Sequence, residues 1–352
     1  MSFSVTVQPS GRTLFVDRDE PILLAAIRQG IGLPYGCKDG ACGSCKSRLL
    51  AGRVIHGAHQ DKALSAAEEE AGWTLTCRAS AQTDVVIEAR TVAGLADYPP
   101  RKMPSRVAHI SRPAPDVAIV RLQLPASDTL RYRPGQYIEV ILRDGLRRSY
   151  SMANDPERQA ELLGNGQPAI ELHIRHMPGG VFTDHVFGAM KEREILRLEG
   201  PFGSFFLRAE SDKPIILLAS GTGLAPIKAI VEHLQRTASE RPAWLYWGCR
   251  SRADLYLNEW VEAVTRGSRF FRYVPVLSEP KAGDAWTGRT GFVHQAVMAD
   301  CPDLGGHQVY ACGAPLMVEA AQRDLVERCG LPPAEFYADA FTTEADKHGG
   351  GT

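Results

Sequence analysis

The sequence predicts a multidomain protein of α+β and α/β class. A small mixed domain comes first, an antiparallel β-barrel second and a parallel α/β domain last. Three observations carry this. Four cysteines crowd among strand signals in the first eighty residues. Short strand signals broken by glycine and proline fill residues 103–208. After Lys213-Pro214, strands alternate with helix patterns. A length of 352 residues holds two or three domains of ~100–200 residues. Lys+Arg 40 against Asp+Glu 41 leaves a charge of −1, which gives no basic field for nucleic acid. No basic n-region with an apolar h-region opens the chain. Apolar runs such as Ile22–Ile27 and Ile215–Ala219 fall far short of the ~20 residues that cross a bilayer. The sequence therefore predicts a cytoplasmic, monomeric protein with no membrane or nucleic-acid partner.

In the first domain, 1–92, Phe3, Val5 and Val7 alternate before Pro9-Ser10-Gly11, and Leu14-Phe15-Val16 completes a hairpin. Pro21 opens a short helix that buries Ile22, Leu23, Ala26 and Ile27. Ser65-Ala66-Ala67-Glu68 has capping-box form and starts a second helix, and Val85-Val86-Ile87 closes the domain as a strand. Pro99, Pro100 and Pro104 mark a linker, taken as 93–102. The barrel, 103–208, draws on Arg106–Ile110, Val117–Leu124, Tyr137–Leu142, Ile170–Arg175 and Ile195–Glu199. Its turns fall at Pro134-Gly135, Pro178-Gly179-Gly180 and Gly200-Pro201. The α/β domain, 209–341, begins with the strand Ile215–Ala219 and a helix with Ile227, Ile230, Val231 and Leu234 on one face. Strands at Trp244–Trp247, Arg272–Val276 and Val309–Cys312 follow, with a helix at Trp260–Val264. A flexible tail, 342–352, ends the chain.

Eight cysteines suggest a disulfide framework only until their spacing is read. Cys37, Cys42 and Cys45 stand as C-x4-C-x2-C, and Cys77 adds a fourth thiol. Four thiolates at this plant-type spacing match a [2Fe–2S] cluster, two per iron. Gly36, Gly40 and Gly43 suit a loop whose amides must approach sulfur closely. The alternative, structural zinc, usually takes paired C-x2–4-C motifs, and here the fourth ligand stands alone. Cys249, Cys301 and Cys329 read as small buried hydrophobes.

Arg148-Ser149-Tyr150-Ser151 follows a barrel strand, and Gly179-Gly180-Val181 with Thr183 opens a helix. A helix start offers free amides and a positive dipole end to a pyrophosphate, and Arg148 adds a charge-assisted contact. Tyr150 is suited to stack on a planar ring and Ser151 to bond a ring nitrogen. The bland alternative is a surface strand with a solvated arginine. Together these anion-binding and ring-binding groups favour a flavin, and His173-Ile174-Arg175 are placed next to it. Gly221-Thr222-Gly223, with Ala225 and Pro226, links a buried strand to a helix, the setting for a nucleotide phosphate. No acidic residue stands at the ribose-reading distance. Gly248 and Arg250 follow the next strand, and Arg250 and Arg252 either meet a 2′-phosphate or are solvated. Cys312-Gly313 ends a strand at the ligand edge, with a small buried hydrophobe as the alternative for Cys312.

With these motifs in place, residues 1–341 resemble the iron–sulfur flavoprotein reductases of the ferredoxin–NADP⁺ reductase superfamily. The resemblance rests on Cys37/Cys42/Cys45/Cys77, Arg148–Ser151, Gly200–Phe206, Gly221–Pro226, Tyr246-Trp247-Gly248 and Tyr310–Pro315. Thr287–Val297 and Phe336–Phe341 are similar to CDP-6-deoxy-glucoseen reductases, with reductases of multicomponent aromatic-ring oxygenases next. The family implies a β-grasp plant-type ferredoxin domain, a flavin-binding barrel and a nicotinamide-binding domain. It implies FAD stacked between Tyr150 and Phe341, and Ser151, Cys312, Asp339 and Phe341 as catalytic groups. NADH, with NADPH as an alternative, is the implied reductant. Electrons then leave to a separate acceptor, an oxygenase component or an iron–sulfur dehydrase, docked near Gly40–Ser44. The alternatives are a self-sufficient oxidase or diaphorase and a redox-sensing binding protein.

Overall fold

The computed structural model describes residues 2–127 and 129–343, which form two compact units. Of the described residues, one unit comprises Ser2–Pro99, Gly203–Phe205 and Thr342-Thr343; the other comprises those of Pro100–Phe202 and Phe206–Phe341. From residue 344 on, the expected tail lies outside the described residues.

The first unit holds β1 (Ser2–Gln8), β2 (Arg12–Asp17), α1 (Ile22–Arg28), β3 (Lys46–Ala51), β4 (Val54–His56), α2 (Ala66–Glu70), β5 (Trp73–Leu75), β6 (Ala79–Ala81) and β7 (Val85–Glu88). Its mixed sheet runs β2-β1-β7-β3-β5, with β1 and β7 parallel, and β4 pairs with β6. The alternation anticipated in the hairpin is real: Val5, Val7, Leu14 and Val16 are fully buried. Ser65 and Glu68 close the capping box at α2, although the helix is only five residues long.

In the second unit, β8 (Arg101–Ala114), β9 (Val117–Gln123), β10 (Tyr137–Ile141), β11 (Arg147–Ser151), β12 (Ala169–Arg175) and β13 (Ile195–Phe202) form the barrel, with α3 (Val181–Gly188) between the last two strands. The strand order is β11-β10-β13-β8-β9-β12, and a bridge between Met152 and Leu172 joins the two ends. Gly200-Pro201 was expected as a turn but lies inside β13. Gly200 is there for close approach, since a Cβ would meet Ile138 Cγ2 at 2.8 Å. On β12, Ile170, Leu172 and Ile174 fill the barrel core, so Glu171 and His173 face the other way. Both are nonetheless buried.

The same unit continues with β14 (Ile215–Ser220), α4 (Leu224–Arg236), β15 (Ala243–Cys249), α5 (Asn258–Gly267), β16 (Phe271–Leu277), β17 (Arg289–Thr290), α6 (Val293–Asp300), β18 (Gln308–Gly313), α7 (Pro315–Cys329) and β19 (Phe336–Ala340). All six strands are parallel, in the order β17-β16-β15-β14-β18-β19. The winding reverses between β14 and β18. A crevice for ligands is expected at the carboxyl ends of strands beside such a reversal. No helix among the described residues is long and apolar enough to cross a membrane.

Candidate cluster loop and hydride-transfer site

The four thiols of the first unit stand two and two. A hydrogen bond to Cys42 pushes the Cys37 thiol up, and the same bond holds Cys42 below the usual thiol range. Cys45 and Cys77 are paired in the same way, with Cys45 held down by its bond to Cys77 and Cys77 pushed up. Among the described residues no three His, Cys, Asp or Glu side chains converge on one ion. Two pairs of thiols are what a two-iron cluster takes.

The surrounding loop fits that group. Cys37 donates its amide to Cys42 Sγ at 3.3 Å, and Cys42 lies 3.4 Å from Ser44 Oγ. A Cβ on Gly36 would touch Cys42 Sγ at 3.4 Å and Ser44 Oγ at 3.3 Å, so a larger residue would fill the cradle. Gly40 and Gly43 have φ of +81° and +75°, values that only glycine adopts freely. Just before Gly36, the Tyr35 amide donates to Ser204 Oγ at 3.0 Å and the Ser204 amide donates to Tyr35 O at 2.9 Å. Ser204 lies in the Gly203–Phe205 segment of the same unit, so that segment supports the approach to the cluster loop.

The flavin motif lies on β11. Tyr150 is half-buried, its ring 5.3 Å from that of Phe182, and burial pushes its phenol up. Arg148 is half-buried, Ser149 is exposed and Ser151 is buried. α3 carries no side-chain cap, which leaves amides of its first turn for an anion. The Gly179 amide is already taken by Asp184 Oδ2 at 3.0 Å, and the Thr183 hydroxyl donates to Met177 O at 2.8 Å. Thr183 therefore shapes the turn below Gly180. The His173 ring is also committed, bonded to Tyr256 Oη at 2.8 Å and Glu171 Oε1 at 3.1 Å. Ile174 is in the core. Neither side chain is therefore open to a ligand, and both residues lie on β12, the last strand in the sheet order.

Gly221–Gly223 forms a single 3-10 turn between β14 and α4, with no side-chain cap on either helix. Gly221 has φ +51°, and a Cβ there would meet Arg175 Nη1 at 2.8 Å. Arg175 thus stands at the nucleotide loop, with Asp116 Oδ2 3.2 Å from its Nε. A Cβ on Gly223 would land on the Cys312 carbonyl. Ala225 and Pro226 are buried in the first turn of α4. Gly248 backs onto Val293, where a Cβ would lie 2.8 Å from the valine Cβ, and Arg250 is exposed.

Ser151, Cys312 and Asp339 come together from three strands. Ser151 donates to Asp339 Oδ2 at 3.3 Å, and Cys312 Sγ is 4.0 Å from the same oxygen. Cys312 and Asp339 are register partners on β18 and β19. All three are buried, and burial, then the Asp339 charge, pushes the Cys312 thiol well up, so it stays protonated. The Phe341 amide extends this pairing by donating to Gly313 O at 2.8 Å.

Trp247 of the Tyr246-Trp247-Gly248 motif braces this site together with four residues not singled out from the sequence, Tyr256, Glu171, Arg121 and Lys228. Trp247, fully buried, donates Nε1 to Gly221 O at 2.9 Å. Tyr256 sets its ring edge-on to Trp247 at 5.3 Å. Glu171 receives Arg121 Nε at 3.0 Å and lies 3.1 Å from Lys228 Nζ. Burial would raise the Glu171 carboxyl, but the His173 bond, Lys228 and Arg121 outweigh it and hold it below its usual range. The only available signal was charge at helical spacing in Lys228, Glu232 and Arg236, a pattern that normally marks a solvated face.

Comparison with known proteins finds three family models along the chain. The family model of the 2Fe-2S iron-sulfur cluster binding domain matches residues 5–82, that of the oxidoreductase FAD-binding domain 104–207, and that of the oxidoreductase NAD-binding domain 217–323. The chain is 40% identical over 344 residues to CDP-6-deoxy-L-threo-D-glycero-4-hexulose-3-dehydrase reductase of Yersinia pseudotuberculosis, covering 97% of this chain and 99% of the relative. It is 32% identical to the reductase component of phenol 2-monooxygenase from a Pseudomonas species, covering 99% and 97%. Among solved structures, the Amycolatopsis cytochrome P450 reductase GcoB superposes with a TM-score of 0.79 at 32% identity, covering 97% of this chain and 99% of that one.

Proposed function

The chain belongs to the iron–sulfur flavoprotein reductases of the ferredoxin–NADP⁺ reductase superfamily, and from that premise we propose that it oxidises NADH and hands the electrons singly to a separate acceptor protein. The observation that carries this reading is the meeting of Ser151 on β11 with Asp339 and Cys312 on the nicotinamide-side sheet. Cys37, Cys42, Cys45 and Cys77 would hold the [2Fe–2S] cluster. Arg148, Tyr150, Ser151 and the start of α3 would hold FAD. Gly221–Gly223 and the start of α4 would hold the coenzyme phosphates. When bound, FAD supplies acceptance of an electron pair with release of single electrons, and the cluster supplies a one-electron relay.

The chain's own groups do the positioning. Tyr150 presents a half-buried ring against which a planar group can stack. Ser151 keeps its hydroxyl proton on Asp339 Oδ2, which leaves its oxygen lone pairs to accept a bond. The protonated Cys312 thiol adds a neutral wall with no exposed surface, so water is kept from the reacting face. Phe341 lies next to Gly313 at the same edge, where it can cover the opposite face of the site.

NADH stays the favoured coenzyme: of the two arginines after β15, Arg252 is drawn to Asp284 and Arg250 is exposed to solvent. Arg252 Nη1 donates to Asp284 O at 3.1 Å and its amide to Asp284 Oδ2 at 3.2 Å. An iron–sulfur sugar dehydrase is favoured as acceptor over an oxygenase component by identities of 40% and 32% to the respective reductases. The acceptor would dock over Cys42–Ser44, the half-buried part of the Gly40–Ser44 loop, since Gly40 and Ala41 are buried. We take the working form to be a cytoplasmic monomer.

Anaerobic titration of the holoprotein with NADH and then NADPH, followed by EPR, tests the reading. Flavin bleaching with a rhombic [2Fe–2S] signal at lower NADH concentration is the expected result. Bleaching with no cluster signal would overturn the electron path and favour the diaphorase alternative.

A further inference from the structure

Lysine is seldom buried unless every donor finds a partner. Lys228 lies on the second turn of α4 and is only 6% exposed. Its ammonium group has three N–H donors and meets three acceptors: Ala153 O at 3.1 Å, Glu171 Oε1 at 3.1 Å and Glu232 Oε1 at 2.5 Å. The Trp260 ring lies 5.3 Å from Nζ. Two of the three acceptors belong to the barrel. Ala153 stands two residues after Ser151, and Glu171 is on β12 beside His173. The third, Glu232, is one turn further along α4 and accepts the Asp155 amide through Oε2 at 2.9 Å. Asp155 in turn receives Arg236 Nε at 2.6 Å. One face of α4, at positions 228, 232 and 236, is thereby bonded to the chain that leaves the flavin-motif strand.

We propose that Lys228 is a positioning residue for hydride transfer, setting the Gly221–Gly223 loop at the head of α4 against Ser151. The inference rests on reading that loop as the coenzyme phosphate site. A buried ion pair adds little net stability compared with apolar residues of the same shape, because desolvation offsets the attraction. What three directed hydrogen bonds do supply is a fixed position. The loop lies one helical turn from Lys228, so a shift of the ammonium moves the loop amides and the Cys312 carbonyl packed on Gly223 together. A misplacement of about 1 Å is enough to cost ~100-fold in rate.

The test uses full-length holoprotein with NAD⁺ binding by calorimetry, and NADH oxidation with ferricyanide as electron acceptor. Lys228→Met is expected to keep its FAD, to weaken NAD⁺ binding about tenfold and to lower kcat ~10–100-fold. That variant also strands Glu171 and Glu232 and loses stability. Lys228→Met/Glu232→Gln removes the excess charge and keeps an acceptor for the Asp155 amide. It is expected to recover Tm while NAD⁺ binding and kcat stay impaired. Recovery of Tm together with binding and kcat, unchanged binding and kcat in the single variant, or loss of FAD in either would overturn the role given to Lys228. Wild-type holoprotein that fails to bind NAD⁺ would instead overturn the reading of the loop, and the proposal with it.

Discussion

The proposed cluster loop and the proposed hydride-transfer site hold their groups in place by opposite routes. Three of the four cluster thiols lie within nine residues, and Cys77 returns to them beside the strand pairing of the same small sheet. Ser151 and Asp339, by contrast, bond across 188 residues of sequence. The first site is written mainly into spacing and glycine conformation. The second exists only because β11 meets the edge of a parallel sheet whose β18·β19 register sets Cys312 opposite Asp339. A local site should fail locally when a ligand is removed, and an assembled site should fail when any of its distant supports moves.

The largest expected effect is at the local site. Cys42→Ser should abolish cluster absorbance and cytochrome c reduction while sparing ferricyanide reduction; retained cytochrome c activity would show that the thiol is not in the path. Next comes Gly223→Ala, whose Cβ would land on the Cys312 carbonyl. Displacement of the loop should raise the NADH KM by up to ~100-fold with the EPR signal of chemically reduced cluster unchanged. Phe341→Ala should narrow the NADH/NADPH preference severalfold, read from the ratio of kcat/KM values, and an unchanged ratio would separate Phe341 from the site.

A pH series sharpens the contrast between the two regions. The Glu171 carboxyl is held below its usual range, so its contribution to stability is complete above the unfolded value of about 4.3 and is lost as pH falls through the folded value. Wild-type Tm should therefore fall more steeply below about pH 4 than that of Glu171→Gln, measured by calorimetry. The smallest effect is at α2. Ser65→Ala removes a cap that accepts the Glu68 amide at 3.3 Å and should cost ~1 kcal/mol, lowering the Tm of the cluster-domain transition by a few degrees with no change in NADH oxidation.

Several elements were legible because their signals are local. Alternation exposes β1 and β2, the capping box marks α2, and helical spacing gives α4 after an apolar strand. Arg148–Ser151 reads from the sequence as a motif after a barrel strand, with a surface strand as the alternative; it is a strand of its own, β11, whose polar residues gave no hydrophobic alternation to mark it. α6, α7 and β19 were not anticipated. Their buried residues answer to the neighbouring sheet rather than to a distinct local pattern. What spacing did not show for His173 is that its ring bonds Glu171 and Tyr256, partners that only the fold brings to it.

By itself the sequence determined the three modules and pointed to the proposed cluster ligands and phosphate-binding turn, since spacing, glycine freedom and helix starts act over a few residues. Only the tertiary structure decided which side of β12 is covered, that the charged face of α4 is buried, and that Ser151, Cys312 and Asp339 meet. Those outcomes depend on strand order and register, where groups far apart in sequence exchange water for one another and a charge becomes tolerable only once its partners have arrived.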